Sequence, residues 1–293
     1  MNTATLETRA AAAAHEIDAV ERIDPQDFYR DYVRANRALL THGMMCDWPA
    51  MKKWSFDFFS QLSLDKQVYL EQDNVMQGDA KYSVRSYAES LRAIIDDDCA
   101  GGEKPGYLSV FKIFREFPEL EQDVDFSLLS QRQVKSTAAG WIGPAGTVTG
   151  YHIDWGDNLL AQVVGRKQVH LVAPCDSKHM YPTNRFDQGT TSSAIDAEKW
   201  DEARHPLYRQ ATVHKIVLHP GDMLFIPRGW WHQVKSLDKS ISVSSIGYNV
   251  RGLFVDLLSH RVLQWLHDAG LYNAPCTCHI VHNGKRVRRS VAN

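Results

Sequence analysis

The 293-residue sequence has little cysteine, no long apolar run and almost no net charge. Its five cysteines, Cys46, Cys99, Cys175, Cys276 and Cys278, are odd in number and scattered without framework spacing. That excludes a disulfide-stapled scaffold and predicts a reducing, cytoplasmic setting. No run of 18 apolar residues occurs, so no helical membrane span and no membrane partner are predicted. Residues 10–14 are all alanine but lead into His15-Glu16, without the basic, apolar and small-residue succession of a secretion signal. Lys and Arg number 33 against 35 Asp and Glu, a formal charge of −2. Without a global basic field, charge does not point to tRNA or any other nucleic acid as a partner. Internal repeats are also absent.

What is present is globular: 44% hydrophobic and 23% charged residues. The length admits two domains, or one β-barrel with helical additions. Residues 1–23 are Ala-rich at first and read as a flexible N-terminal arm. Residues 24–106 read as an α-rich section anchored by Phe28, Tyr32, Trp48, Trp54, Phe56 and Phe59, with Ser55 as a helix cap. A polar loop with Asp96, Asp97, Asp98 and Gly101-Gly102 leads to Tyr107, which opens a strand-like run.

Residues 107–250 change rhythm. Short apolar or alternating runs at 159–164, 168–172, 213–218, 223–226 and 240–245 are divided by Gly and Pro, the signature of antiparallel strands. In the last of these the period is two, with Ile241 and Val243 on one face and the serines on the other, where they can meet a polar cavity. The polar stretch at about 175–212 shows no obvious strand and reads as an insertion over a site. In the segment 251–293, Phe254, Leu257, Leu258, Val262, Trp265 and Leu266 recur at helical spacing until Gly270. That stripe calls for a partner surface, either the body of this chain or the same helix of a second subunit in a homodimer.

The segment Thr147-Val-Thr-Gly-Tyr-His152-Ile-Asp154 holds the chain's only His-x-Asp, a spacing that 13 His and 24 Asp would produce about once by chance. On a strand, His152 and Asp154 share a face and can offer a nitrogen and a carboxylate oxygen to one metal ion. A third ligand is available in Pro220-Gly-Asp-Met-Leu-Phe-Ile-Pro-Arg-Gly-Trp-Trp-His232, where a turn, a strand and a second turn lead to His232. Two His and one carboxylate leave three positions open, the arrangement of non-heme Fe(II) oxygenases, whereas zinc prefers four-coordinate geometry. On spacing alone, plain structural histidines are an equal reading. Near the C-terminus, Cys276-Thr-Cys278-His279-Ile-Val-His282 has the donors of a small metal site but lacks a second well-spaced pair. The basic run Lys285-Arg-Val-Arg-Arg289 reads as a solvated tail.

The runs from Gly146 through His152, Asp154 and Asn158 to Lys167, and from Pro220 to Trp230-Trp-His232, together resemble the Jumonji-C (cupin-8) family of Fe(II)- and 2-oxoglutarate-dependent oxygenases. The likeness spans about 24–266 and is strongest at 105–175 and 213–248. It is nearest to the hydroxylase branch of factor inhibiting HIF and the arginyl-hydroxylase Jumonji-C proteins, rather than to multidomain histone demethylases. The resemblance implies a mainly β fold with flanking helices: a double-stranded β-helix (cupin, or jelly-roll) core, the α-rich N-terminal section and C-terminal helices. It also implies Fe(II), 2-oxoglutarate as co-substrate and O2, with His152, Asp154 and His232 as metal ligands. Lys167 matches the lysine that pairs with the remote carboxylate of 2-oxoglutarate. Thr149 and Tyr107 match hydroxyls that help hold it, and Asn158 matches a polar residue lining the pocket. Physically, a carboxylate in a narrow barrel is costly unless a cation and hydroxyl donors meet it.

Each of these has an ordinary alternative: an exposed strand lysine, a core tyrosine, a β-forming threonine. Trp141 fits either the pocket or the core, and Trp230 and Trp231 read as packing. The sequence departs from the family at Trp155-Gly156 and at Ser244-Ser-Ile-Gly247, both near the substrate side. Asp154, present where halogenating relatives lack the ligand, implies hydroxylation of a C–H bond. The resemblance leaves the substrate open: an amino-acid side chain in a protein or peptide first, then a free amino acid or small metabolite, then a tRNA base. N-demethylation is a further outcome of the same chemistry, and a non-enzymatic cupin binding module is the rival reading.

Overall fold

The computed structural model describes residues 17–72, 82–97, 105–130, 135–185, 190–249, 262–272, 276, 279–282 and 285–288. The first strand, β1 (Asp18–Val20), is followed by helix α1 (Pro25–Phe28), capped by the Asp24 carboxylate and started by a proline whose missing N–H costs nothing there. After β2 (Leu39–Thr41) come helices α2 (Ala50–Lys53) and α3 (Phe56–Gln61). The Phe58 N–H donates to Ser55 Oγ at 3.0 Å, so Ser55 caps α3. Strands β3 (Gln67–Glu71) and β4 (Tyr82–Ser86) pair antiparallel and lead into α4 (Tyr87–Asp96), opened by a reciprocal Ser86–Glu89 capping box. Then follow β5 (Leu108–Phe111), α5 (Ile113–Glu116), α6 (Ser127–Ser130) and β6 (Lys135–Gly143). The remaining strands are β7 (Val148–Asp154), β8 (Asp157–Val164), β9 (Lys167–Val172), β10 (Thr190–Ser192), β11 (Val213–Leu218), β12 (Met223–Ile226), β13 (Trp231–Ser236) and β14 (Ser240–Tyr248). Helix α7 (Val262–Asp268) and a hairpin of β15 (His279–His282) and β16 (Lys285–Arg288) complete the elements.

Two sheets form the body, one in the order β1-β2-β12-β8-β14-β6-β5 and the other β10-β7-β13-β9-β11. From β6 to β9, and again from β11 to β14, the chain alternates between the sheets, except where β9 and β11 pair within one. This winding is the double-stranded β-helix that the resemblance implies, made of the antiparallel strands that the rhythm predicts. The period of two sorts the side chains. On the outer face of the larger sheet, Leu159, Ala161, Val163, Met223, Phe225, Ile241 and Val243 are buried against Phe28, Trp48, Phe59 and Leu91 of the N-terminal section. Full burial of such side chains contributes roughly 1.5–3 kcal/mol each before entropic costs, which is why the helices lie on this face. Between the sheets, Leu40, Leu160, Leu224 and Ile226 meet Val169, Leu171 and Leu218.

Three expectations are corrected. The flexible arm expected over 1–23 ends earlier: β1 pairs in parallel with β2, and the Arg37 guanidinium meets Asp18 at 2.7 Å. The N-terminal section is helical but also supplies the β3–β4 hairpin and β2, a short strand whose partner β12 lies far away in sequence. The insertion expected over 175–212 is not strandless. Its β10 pairs with β7, Thr190 opposite Asp154 and Ser192 opposite His152, and its Met180, Ile195 and Tyr208 pack on Tyr151 and Trp231 over the outer face of the smaller sheet. A three-residue strand of Thr-Thr-Ser has no apolar alternation to reveal it.

The expected packing of Trp231 is seen in this cluster, and Trp230 lies in the core between the sheets with its indole N–H on Asn36. Phe254, Leu257 and Leu258 of the C-terminal stripe lie outside the described residues, while Val262 and Trp265 are 52% and 64% exposed. Among the described residues no helix is long and apolar enough to cross a membrane.

Candidate metal and co-substrate site

Strand pairing brings His152 and His232 together. β7 and β13 are antiparallel, and the two histidines are direct cross-strand partners with ring centroids 4.1 Å apart. Asp154, two residues along β7, projects from the same face. Its oxygens lie 3.8 Å from His152 Nε2 and 3.6 Å from His232 Nε2. All three side chains are buried, and one donor atom from each lies within 4.8 Å of the others.

Both rings are oriented from behind. His152 Nδ1–H donates to the Gly150 carbonyl at 2.8 Å, and His232 Nδ1–H donates to the Trp230 carbonyl at 3.1 Å. Each Nε2 is thereby turned toward Asp154, the nitrogen left to a metal when Nδ1 is held from behind. Burial, with the His152 ring alongside, pushes His232 down to about 4, so the imidazole is neutral near pH 7. The Gly229 N–H donates to the Asp154 carbonyl at 2.9 Å and the Arg228 N–H to the Asp157 carboxylate at 3.1 Å, tying the turn before β13 to β7 and β8. Gly229 takes φ +80°, which the turn requires and a β-carbon would oppose. Burial raises the Asp157 carboxyl above the usual carboxylate range.

A bulge decides where Thr149 points. The β13–β7 register runs His232–His152 and then Val234–Thr149, so β7 carries an extra residue between its two partners. Strict alternation would put Thr149 on the opposite face from His152. The bulge returns it to the same face. There its hydroxyl hydrogen-bonds to Tyr107, whose phenol oxygen lies 3.3 Å from Lys167 Nζ. Burial, with Glu71 nearby, raises the Tyr107 phenol well above its ordinary range, so it stays protonated. Tyr107 is set by the N-terminal hairpin, through reciprocal backbone bonds with Glu71 of 2.6 and 2.9 Å. Gly143 leaves room for its ring, because a β-carbon there would overlap Tyr107 Cδ2.

Lys167, at the start of β9, is 1% exposed. Among the described residues no carboxylate forms an ion pair with it, and burial alone pushes its ammonium down to about 7. A buried cation with a hydroxyl but no counter-ion is a costly arrangement. Asn158, expected along the pocket, donates Nδ2–H to the Asp154 carboxylate at 3.0 Å, while its Oδ1 is buried without a protein partner. Asn158 is thus tied to the third donor of the cluster rather than standing free along the pocket.

One polar group here, Gln162, was not foreseen from sequence. Ser242 donates to the buried Gln162 at 2.7 Å, and Trp141 donates its indole N–H to Ser244 at 2.8 Å, so the polar face of β14 does line the interior. Only the serine alternation signalled this. Gly156, a departure from the family, has a packing cause: a β-carbon would lie 2.6 Å from Ile246 Cγ2 and 2.9 Å from the Gly247 carbonyl. Its neighbour Trp155 stands 42% exposed at the end of β7.

Two histidines and a carboxylate on one face fit a divalent metal that keeps positions open to other ligands, and the lone ammonium fits a carboxylate. A double-stranded β-helix carrying such a triad defines a metal-dependent cupin. The model of the cupin-like domain family matches residues 25–246, and the chain belongs to that family, in its Jumonji-C group. Similar proteins include lysine-specific demethylase 8 of Xenopus tropicalis, 33% identical over 74% of this chain and 50% of the relative. Lysine-specific demethylase JMJ30 of Arabidopsis thaliana is 32% identical over 75% of this chain and 52% of its own. Human HSPB1-associated protein 1 is 29% identical over 80% of this chain and 53% of its own. The chain thus spans about half the length of these relatives. Jumonji-C oxygenases use Fe(II), 2-oxoglutarate and O2.

Proposed function

We propose that this chain is an Fe(II)- and 2-oxoglutarate-dependent oxygenase that hydroxylates a C–H bond, with an amino-acid side chain of a protein or peptide as substrate. The observation that carries the reading is Lys167, a buried ammonium without a carboxylate partner among the described residues, inside the same barrel as the His152–Asp154–His232 triad. His152, Asp154 and His232 would hold the iron. When bound, the iron couples O2 activation to oxidative decarboxylation of 2-oxoglutarate, and the protein's part is to position and to exclude water. Lys167 would meet the remote carboxylate of the co-substrate, with the Tyr107 and Thr149 hydroxyls around it. Asn158 would hold the Asp154 carboxylate toward the metal. Trp155, exposed beside Asp154, would face the substrate.

A second reading rests on the names of the relatives, two of which are lysine demethylases. Hydroxylation of an N-methyl carbon gives a product that loses formaldehyde, so N-demethylation needs no different active site. A homodimer through the exposed Val262 and Trp265 belongs to the same proposal. The test is an anaerobic optical titration with Fe(II) and then 2-oxoglutarate. A visible charge-transfer band, lost in His152→Ala, is expected; its absence would favour a cupin that binds without turnover. Mass spectrometry of candidate peptides then separates gain of one oxygen from loss of a methyl group.

A further inference from the structure

A second group of soft and borderline donors lies outside the barrel. Helix α7 ends in a turn where Gly270 takes φ +74° and the Leu271 and Tyr272 N–H groups return to the Leu266 carbonyl at 2.8 and 3.0 Å. The turn folds the Tyr272 carbonyl back over His267, which is fully buried and donates Nδ1–H to it at 2.8 Å. Beside it, β15 opens with His279, whose ring centroid lies 5.1 Å from that of His267. His279 Nε2 is 3.2 Å from Asp268 Oδ1, and its Nδ1 is 3.6 Å from Cys276 Sγ. One nitrogen of each ring and the thiol sulfur all lie within 4.8 Å of one another.

We propose that His267, Cys276 and His279 form a second metal site, for Zn2+, that clips the C-terminal hairpin to the end of α7, with solvent in the fourth position. Four arguments converge on it. A tetrahedral ion bonded to sulfur at about 2.3 Å and to nitrogen at about 2.05 Å separates the two by about 3.6 Å, the spacing of Cys276 and His279. Each histidine has its outer nitrogen turned to a carbonyl or carboxylate, the arrangement that orients metal-binding imidazoles and that His152 and His232 also show. A thiolate with two imidazoles is a softer set than the barrel triad and selects zinc over Fe(II). A seven-residue helix with Val262 and Trp265 in solvent buries little apolar surface of its own, and metal binding supplies folding free energy where such contact is scarce. The inference does not rest on the oxygenase reading.

The test is an anaerobic titration of the full, chelator-stripped chain with Co2+, a spectroscopic substitute for zinc. Two bound equivalents are expected, one of them giving an intense near-ultraviolet thiolate-to-cobalt band that the barrel triad, having no sulfur, cannot produce. Cys276→Ser removes the band and one equivalent, His279→Ala weakens cobalt at this site at least about tenfold, and His152→Ala leaves the band in place. One equivalent without the band in the wild type overturns the second site. A band unchanged in both Cys276→Ser and His279→Ala also overturns it, since another cysteine then binds the metal. One equivalent with the band instead argues against the barrel triad as a metal site. If Cys276→Ser does not fold, the wild-type band and its response to His279→Ala decide.

Discussion

The barrel triad and the C-terminal cluster orient their histidines by the same device, yet their supports differ. His152 and His232 sit opposite each other on strands that are paired on both sides, inside a core of two sheets. His267 and His279 come from a helix end and a short hairpin. The difference separates two uses of a metal site. In the barrel the scaffold is already formed by packing, so a ligand can be spent on leaving positions open. At the C-terminus, metal binding and local folding are one event.

The strongest test of this contrast removes barrel ligands. His152→Ala and Asp154→Ala are each expected to abolish turnover while far-ultraviolet circular dichroism and the unfolding midpoint stay near wild type; an active variant would break the assignment. Next comes Lys167→Ala. Stranding a buried charge typically costs ~3–5 kcal/mol, so 2-oxoglutarate affinity should fall about 10²- to 10³-fold or more by calorimetry. Unchanged affinity would remove Lys167 from the pocket.

A subtler effect is linked to pH. Lys167 titrates at about 7 in the folded protein, below the ordinary lysine value of roughly 10.4. Between those values the unfolded chain binds more protons, so stability of the ligand-free protein rises with pH through this group. Binding a carboxylate restores the charge, so at pH 8 the association should take up nearly one proton, and affinity should weaken up to about tenfold per pH unit above 7. Calorimetry in buffers of different ionisation enthalpy measures the uptake, and none at pH 8 would contradict the pairing. Gly143→Ala should displace the Tyr107 ring and weaken 2-oxoglutarate by roughly tenfold, about the worth of one hydrogen bond to a charged group. The smallest expected effect is Cys276→Ser on 2-oxoglutarate binding, which should be nil; a change would tie the two clusters together.

The sequence made the barrel legible because its strands alternate cleanly. Ile241 and Val243 face the N-terminal helices, and Ser242 and Ser244 face inward, as a period of two requires. The same period put His152 and Asp154 on one face. It could not place Thr149, whose inward direction depends on a bulge that only the pairing with β13 reveals. Nor could it show β10, too short and polar to register, or the three-residue β2, whose partner β12 lies far along the chain and which in turn holds β1. The role of Gly156 was hidden for a related reason: its neighbour Ile246 is 90 residues away. Local pattern reports which face a side chain takes, whereas contacts fixed by chain closure leave no local mark.

Tyr107 is clamped to Glu71 and thus to a hairpin that precedes the barrel in sequence. The catalytic unit is therefore not modular at the barrel's edge. Excising or transplanting the strands from β5 onward would carry the triad and Lys167 into the new protein but leave behind the phenol beside that lysine, and including Tyr107 alone would free it from Glu71, so recombination that respects function has to cut before β3.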